Sequence, residues 1–585
     1  MNRFIIITAI LALCLTGLVP AGFAATPAPV AAVMRERVQN PVVTDALLGA
    51  LAYLEDTQIR NRPGKGHPTC DTTHEGDGAK NEVSLNLPFR ENMAMPAPPM
   101  LKLRNLAGEW ACFVHFLPKK TGFNGRNLVA VQDSNMFMTA FIGYPLFWYD
   151  DTGMPEGRRF VDQTLKLAMQ NIKVFKRGES YNFWKALPGH FGRVERTGPL
   201  NIPVEMVQQM GKAFLNPKLD RFFAWLTRGL KAPPKYWVEQ CLDPKLNSTG
   251  ADALFNIPND ADDTSTAVTF QAMFAKRFPQ DSEKPDLLAL KLMSNFRDLG
   301  RSREDGRDAW KGKDSGAFLT WLKDEAPPTF ATPETGVIPL NANNVDCVVN
   351  ANVAFALAYN NLKRQPGYLE CLNLLAAACE KHAWPEGGLY YPQYMIFPYT
   401  VTRAWRDGGA REGPMAAAME KLLKNMLDEQ AAWGKKDPMR VGAFPGGEDR
   451  SDHLATALGL SSLLNLGRET AQRAGELDRY DRAVTAAVAY LCRNAKARDL
   501  TYPTTKRIFA HPQFKSKTWA SGLFFAASFW DLAHWRSEAF TVAMVAEALT
   551  KYVLAYDLDQ CKLGKRHLLL KADPTARWGL SLEGR

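Results

Sequence analysis

The chain has 585 residues, 46% of them hydrophobic and 23% charged, with no long low-complexity tract. It therefore buries one large core or two to three ordinary ones, which excludes a disordered or fibrous chain. The net charge of +10 comes from Lys and Arg spread along the whole length; no basic run interleaved with aromatics marks a nucleic-acid groove, so no nucleic-acid partner is expected.

At the N-terminus Arg3 precedes the apolar run FIIITAILALCLTGLV, which stops at Pro20, and Gly22 and Ala24 supply small residues for cleavage. Residues 1–24 read as a secretory signal peptide cut after Ala24. Leu13 stands where a lipoprotein signal needs a small residue before Cys14. The expectation is a periplasmic or secreted protein with no transmembrane segment after cleavage, because no other stretch approaches the roughly 20 apolar residues that span a bilayer. Export admits disulfides among Cys70, Cys112, Cys241, Cys347, Cys371, Cys379, Cys492 and Cys561. Yet Cys347, Cys371, Cys379 and Cys492 sit in apolar helical runs, as buried free thiols do. Cys371 and Cys379 share one expected helix, about 12 Å apart, and cannot pair. No C-x-x-C pair or His-rich cluster has metal-ligand spacing, so no metal site is predicted.

Residues 25–125 read as an irregular N-terminal segment rich in Pro and Gly, apart from a helix in VTDALLGALAYLEDTQI and a strand-like run in GEWACFVHFLP. From 126 to 560 helical segments come in pairs. The first members are QDSNMFMTAFIGYPLFW, DDTSTAVTFQAMFA, NVDCVVNANVAFALAY, YMIFPYTVTRAW, SDHLATALGLSSLLNL and RSEAFTVAMVAEALTKYV. Each opens on polar residues and then turns apolar on nearly every face, the pattern of a helix buried on all sides. The intervening segments, such as FVDQTLKLAMQNIKVFK and RYDRAVTAAVAYLCRNA, are amphipathic. Six buried helices alternating with about six amphipathic ones predict an all-α fold, an α/α toroid in which an inner barrel is wrapped by outer helices. A generic helical bundle is the alternative. Residues 561–585 form a basic C-terminal tail.

In a toroid the inner-helix starts converge on one mouth, where their free N–H groups and polar first turns line a common pocket. The residues expected there are Asp133, Asn135, Asp260, Asp262, Asp263, Thr264, Asp346, Asn350, Tyr394 and Tyr399, with Glu448, Asp449, Asp452, His453, Arg536 and Glu538. Three of these carboxylates crowd into DADDT at residues 260–264. One is explained as a helix cap. Three in a desolvated pocket raise at least one pKa, titrate as a unit and hold a proton, which is what general acid chemistry needs.

DADDT resembles the DxDDT motif of class II terpene cyclases and squalene–hopene cyclases, and WRSEAFTVAMVAEAL looks like a terminal repeat of the prenyltransferase and squalene-cyclase toroids. The resemblance implies that Asp262 protonates an alkene of a polyprenyl-type, lipid-like substrate, with Asp260 and Asp263 holding and tuning it. Asp133, Asp346, Asn350, Tyr399, Asp452, His453, Arg536 and Glu538 would then line the substrate pocket. The Q-x5-W repeats of squalene cyclases are not recognisable here. EDGRD at 304–308 reads as the EDxxD motif that helps hold Mg²⁺ and diphosphate, but it follows the DxDDT stretch instead of preceding it. No cofactor is expected; Mg²⁺ would enter only with a diphosphate substrate. Phe137, Tyr144, Trp148, Phe397, Tyr399, Trp405, Trp530 and Phe540 could stabilise a cation by their ring faces or stack on sugars.

Two other functions fit the same fold. An exported glycoside hydrolase would pair Asp262 with Glu448 or Asp449 at a retaining or inverting separation, and a polysaccharide lyase would use His453 or Tyr399 as base. A toroid without catalysis would bind a small lipid or peptide in its cavity. The wall around Asp262 separates them: a dry aromatic bowl suits the cyclase, and an open cleft of acids, Arg and Trp suits a glycan.

Overall fold

The structure is a computed structural model that describes residues 41–59, 105–116, 129–149, 158–188, 195–201, 256–300, 314–323, 343–446, 452–497, 515–526 and 533–556, with short pieces at 69–70, 82–87, 90–96, 310 and 338. The expected signal peptide, the tail at 561–585, Glu304 to Asp308, Glu448, Asp449 and Trp530 lie outside the described residues.

Twelve helices longer than one turn are described. In chain order they begin with α1 (Pro41–Thr57), α2 (Met136–Tyr149), α3 (Arg158–Lys173), α4 (Ala261–Arg277), α5 (Leu287–Leu292) and α6 (Cys347–Tyr359). They continue with α7 (Tyr368–Glu380), α8 (Ile396–Arg406), α9 (Met415–Lys436), α10 (Asp452–Arg473), α11 (Leu477–Arg493) and α12 (Glu538–Tyr556). The even-numbered helices pack each on the next, and α12 packs back on α2, closing a ring of six. The odd-numbered helices cover it from outside: α1 lies on α12, α3 on α2 and α4, α5 on α4, α7 on α6, and both α9 and α11 on α10. The chain is an α/α toroid.

Burial explains the two layers. In α6 every residue from Cys347 to Ala358 is buried, whereas α11 buries one stripe and shows Asp478, Arg482 and Arg493 on its outer side. Close packing of α2 on α4 depends on Gly143, where a Cβ would stand 2.6 Å from the Phe270 ring. Cys112, Cys347, Cys371 and Cys379 are free and buried, and Cys492 is free and half-buried.

Across the mouth lies an antiparallel sheet that helical periodicity did not foretell. Its strands are β1 (Glu82–Leu87), β2 (Arg90–Pro96), β3 (Cys112–Phe116), β4 (Val129–Asp133), β5 (Leu523–Ala526) and β6 (Ala533–Arg536), in the order β5-β6-β3-β4-β1-β2. Only β3, inside GEWACFVHFLP, was expected as a strand. The strands β4 and β6 run directly into α2 and α12, and β3 pairs with β6 from Phe116↔Ala533 to Phe113↔Arg536. The sheet thus fastens the first inner helix to the last at their N-terminal ends.

One expectation needs correcting. Among the described residues α12 is long and apolar enough to cross a membrane by length and composition, with 89% of the tested window buried inside the protein. It passes because an inner toroid helix is wrapped in protein on all sides, as a membrane helix is wrapped in lipid.

Candidate active site

Asp260 sits just before α4 with an extended backbone, and its side chain accepts the Asp263 N–H at 2.6 Å. It is the helix cap. Asp262 and Asp263 occupy the first turn, where the helix dipole favours negative charge. All three are buried, Asp262 at 6% exposure. One Asp262 oxygen, Oδ1, accepts from Asn352 Nδ2 at 2.6 Å, and the other, Oδ2, accepts from the Tyr391 hydroxyl.

Burial pushes the Asp262 carboxyl up to about 8; the Tyr391 and Asn352 hydrogen bonds oppose this, and the charges of Asp260 and Asp346 add to it. Burial likewise raises Asp260 to about 6 and Asp263 well above the carboxylate range, the latter helped by its two neighbours' charges. Among the described residues no Lys or Arg forms a salt bridge with any of the three. The cluster therefore keeps protons at neutral pH.

Beneath the acid a buried polar chain runs down the barrel. Arg403, in the third turn of α8, donates from Nη2 to Asn352 Oδ1 at 2.7 Å. Its guanidinium lies among the rings of Phe141, Tyr144, Phe355 and Tyr399, 4.5 to 5.4 Å from their centroids. The Tyr399 hydroxyl donates to Glu547 at 2.7 Å. Lys551 then meets Glu547 and Asp407, each at 2.8 Å, and Asn465 at 2.7 Å. Arg403 and Lys551 lie in the field of Glu547 and Asp407 in this lower half, and Arg406 adds a further positive charge near Asp407.

On its other side Asp262 meets aromatic rings. The Tyr391 ring lies 6.0 Å from Phe137 and 5.6 Å from both Phe524 and Phe525. Phe524 in turn packs 4.1 Å from Phe540 and 5.9 Å from Phe141. Phe524 and Phe525 belong to β5, so the sheet supplies part of this lining.

The remaining expected residues separate into groups. Asp346 caps α6 through the N–H groups of Val348 and Val349, and its second oxygen accepts from Leu389 at 2.6 Å and Tyr390 at 3.3 Å. It thereby holds the segment that carries Tyr391, and burial raises it to about 6. Asn350 spends its amide on the Phe318 backbone and the Asp346 carbonyl. Asp133, raised by burial to about 6, accepts from the indoles of Trp184 and Trp535 at the end of β4. Asn135 caps α2 through Met138 N–H. Asp452 pairs with Arg440, His453 accepts from Ala520 N–H, and Tyr394 donates to Glu429, all with partners away from Asp262. Arg536 donates to the Ser521 carbonyl, and Glu538 accepts from the Thr518 hydroxyl. Of the expected set, Tyr399 joins the axial chain, and Asp346 reaches Asp262 through its field and through the Tyr391 segment.

Tyr391, Asn352, Arg403, Phe524, Glu547 and Lys551 were not anticipated. Four of them carried a legible signal: Asn352, Arg403, Glu547 and Lys551 are polar or charged residues inside helices otherwise apolar all round, and such residues are buried with partners or not at all. Attention to helix starts alone passed over them.

No protein-family model and no curated protein sequence matches this chain. Among solved structures it is similar to the type II terpene cyclase MstE from Scytonema, with 13% identity and a TM-score of 0.41 over 88% of this chain and 99% of that one. A variant of that cyclase in complex with its substrate geranylgeranyl dihydroxybenzoate gives 13% and 0.40, over 88% and 98%. A protein from Actinoplanes gives 13% and 0.34, over 76% and 94%. Likenesses this distant carry no assignment of activity to this chain.

Proposed function

We propose that this chain is a terpene-cyclase-like enzyme that starts the cyclisation or isomerisation of a polyprenyl-type substrate by protonating an alkene from Asp262. The observation that carries this reading is a buried carboxyl, raised by burial to about 8, between two hydrogen-bond donors and beside a bowl of Phe137, Tyr391, Phe524 and Phe540. Such an acid is protonated at pH 7, and a dry site leaves little water to compete for it. The alkene π pair takes this proton to form a C–H bond at one carbon, leaving a cation on the other carbon and a carboxylate on Asp262. A second double bond attacks that cation, closing a ring, and the last cation gives a proton to a base in the pocket, its C–H pair becoming the new double bond. Ring faces next to the path stabilise the moving charge. Asp262 is reset from solvent.

The test is turnover. The mature protein is incubated with polyprenyl diphosphates, squalene and bacterial glycans, beside Asp262→Asn. Cyclised or isomerised product from wild type and none from the variant supports the reading. Cleavage of a glycan, or full activity in Asp262→Asn, overturns it. We further propose export, from the Arg3 to Ala24 pattern: N-terminal sequencing of the native protein should begin at or near Ala25, and a cytoplasmic chain starting at Met1 would refute this.

A further inference from the structure

Arg403 is linked to the acid by a single amide. It donates to Asn352 Oδ1 at 2.7 Å, and Asn352 Nδ2 reaches Asp262 Oδ1 at 2.6 Å. A guanidinium has donors and no acceptor, so the amide has one orientation open to it, oxygen towards Arg403 and NH₂ towards Asp262. Four rings hold the guanidinium in place.

The orientation matters chemically. Oδ1 faces an N–H that can only donate, whereas Oδ2 faces the Tyr391 hydroxyl, which can turn to accept, so the proton is carried on Oδ2, beside the aromatic bowl. With the amide turned over, its oxygen would take a hydrogen bond from the carboxyl and hold the proton back. We propose that Arg403 is a positioning residue that aims the Asp262 proton at the aromatic bowl, by holding Asn352 in one orientation. The inference rests on the acid role proposed for Asp262, but it is read out without any substrate.

The groups around Asp262 are Asp260 and Asp263 on its own helix, Asp346 at the start of α6, Tyr391 before α8 and Tyr144 on α2. Those around Arg403 are Tyr144, Tyr399, Glu547 and Asp407. Of all these, the N–H from Asn352 is the interaction that Arg403 controls, and it favours the ionised acid. Losing it should raise the midpoint of Asp262.

The experiment is an infrared titration of the protonated-carboxyl band, the Asp262 component being the part lost in Asp262→Asn. Arg403→Met removes the donors at similar length and should raise the midpoint by about one pH unit or more. Arg403→Lys keeps charge and donors and should return it towards wild type. In an Asn352→Leu background Arg403→Met should shift it far less. If Arg403→Met does not fold, Arg403→Gln, which can donate or accept and so frees the amide to turn, takes its place with the same expected rise. A midpoint unmoved by loss of Arg403, or moved equally with and without Asn352, overturns the proposal. Failure of every polyprenyl substrate would sink the cyclase reading and leave this titration intact.

Discussion

Replacing Asp262 by Asn keeps its volume and both hydrogen-bond partners while removing the ionisable group. At pH 7 the unfolded chain ionises this carboxyl freely, whereas the folded chain holds it protonated up to about 8. Folding therefore forgoes about three pH units of ionisation, on the order of 4 kcal/mol. Asp262→Asn should melt at or above the wild-type temperature at pH 7, and the difference should close as pH falls towards 4. A variant that melts well below wild type at pH 7 would show that the carboxyl supports the fold and is not an acid kept at a cost. The crowding of three Asp was legible as a charge problem in the sequence. Their division of labour was not, because it depends on Asn352 and Tyr391, 90 and 129 residues away.

At the scale of the helix, Asp260 is the cap of α4. Asp260→Ala removes the acceptor for Asp263 N–H and should cost about 0.5–2 kcal/mol, read by thermal melting. Asp260→Asn, itself a good cap, should cost much less; equal losses from both would mean that charge, not capping, is what Asp260 supplies. The inner helices themselves were readable because a run apolar on every face has only one place to go. NVDCVVNANVAFALAY became α6 with hardly a residue exposed. The sheet was hidden because its pairing is remote: β3, legible as a strand, lies against β6, whose four residues are too few to show their own alternation. Phe524 and Phe525 entered the site by that route, so no reading of helix starts could have found them.

At the scale of the molecule, five buried carboxyls among the described residues shift in one direction. Burial raises Glu109 and Asp262 to about 8, and Asp133, Asp260 and Asp346 to about 6. Each binds its proton more tightly folded than unfolded. Their contribution to stability is complete below the unfolded values near 4 and is lost as pH rises through 6 to 8. The melting temperature should consequently rise between pH 8.5 and pH 5, the reverse of ordinary acid denaturation. A fall over that interval, followed by calorimetry, would show that these groups are ionised in the folded protein.

The strand pairing between Phe113–Phe116 and Ala533–Arg536 also sets an order of events. A ribosome or a translocation channel delivers the chain from its N-terminus, so α2 waits with one flank uncovered until α12 emerges some four hundred residues later. Contacts that distant are slow to form, and exposed apolar flanks invite association meanwhile. A nascent toroid is an open arc whose last piece is its keystone, carrying Phe540, Glu547 and Lys551 together. Until that helix slots home there is neither a closed barrel nor a complete aromatic wall beside Asp262, so the site is assembled only when the ring closes.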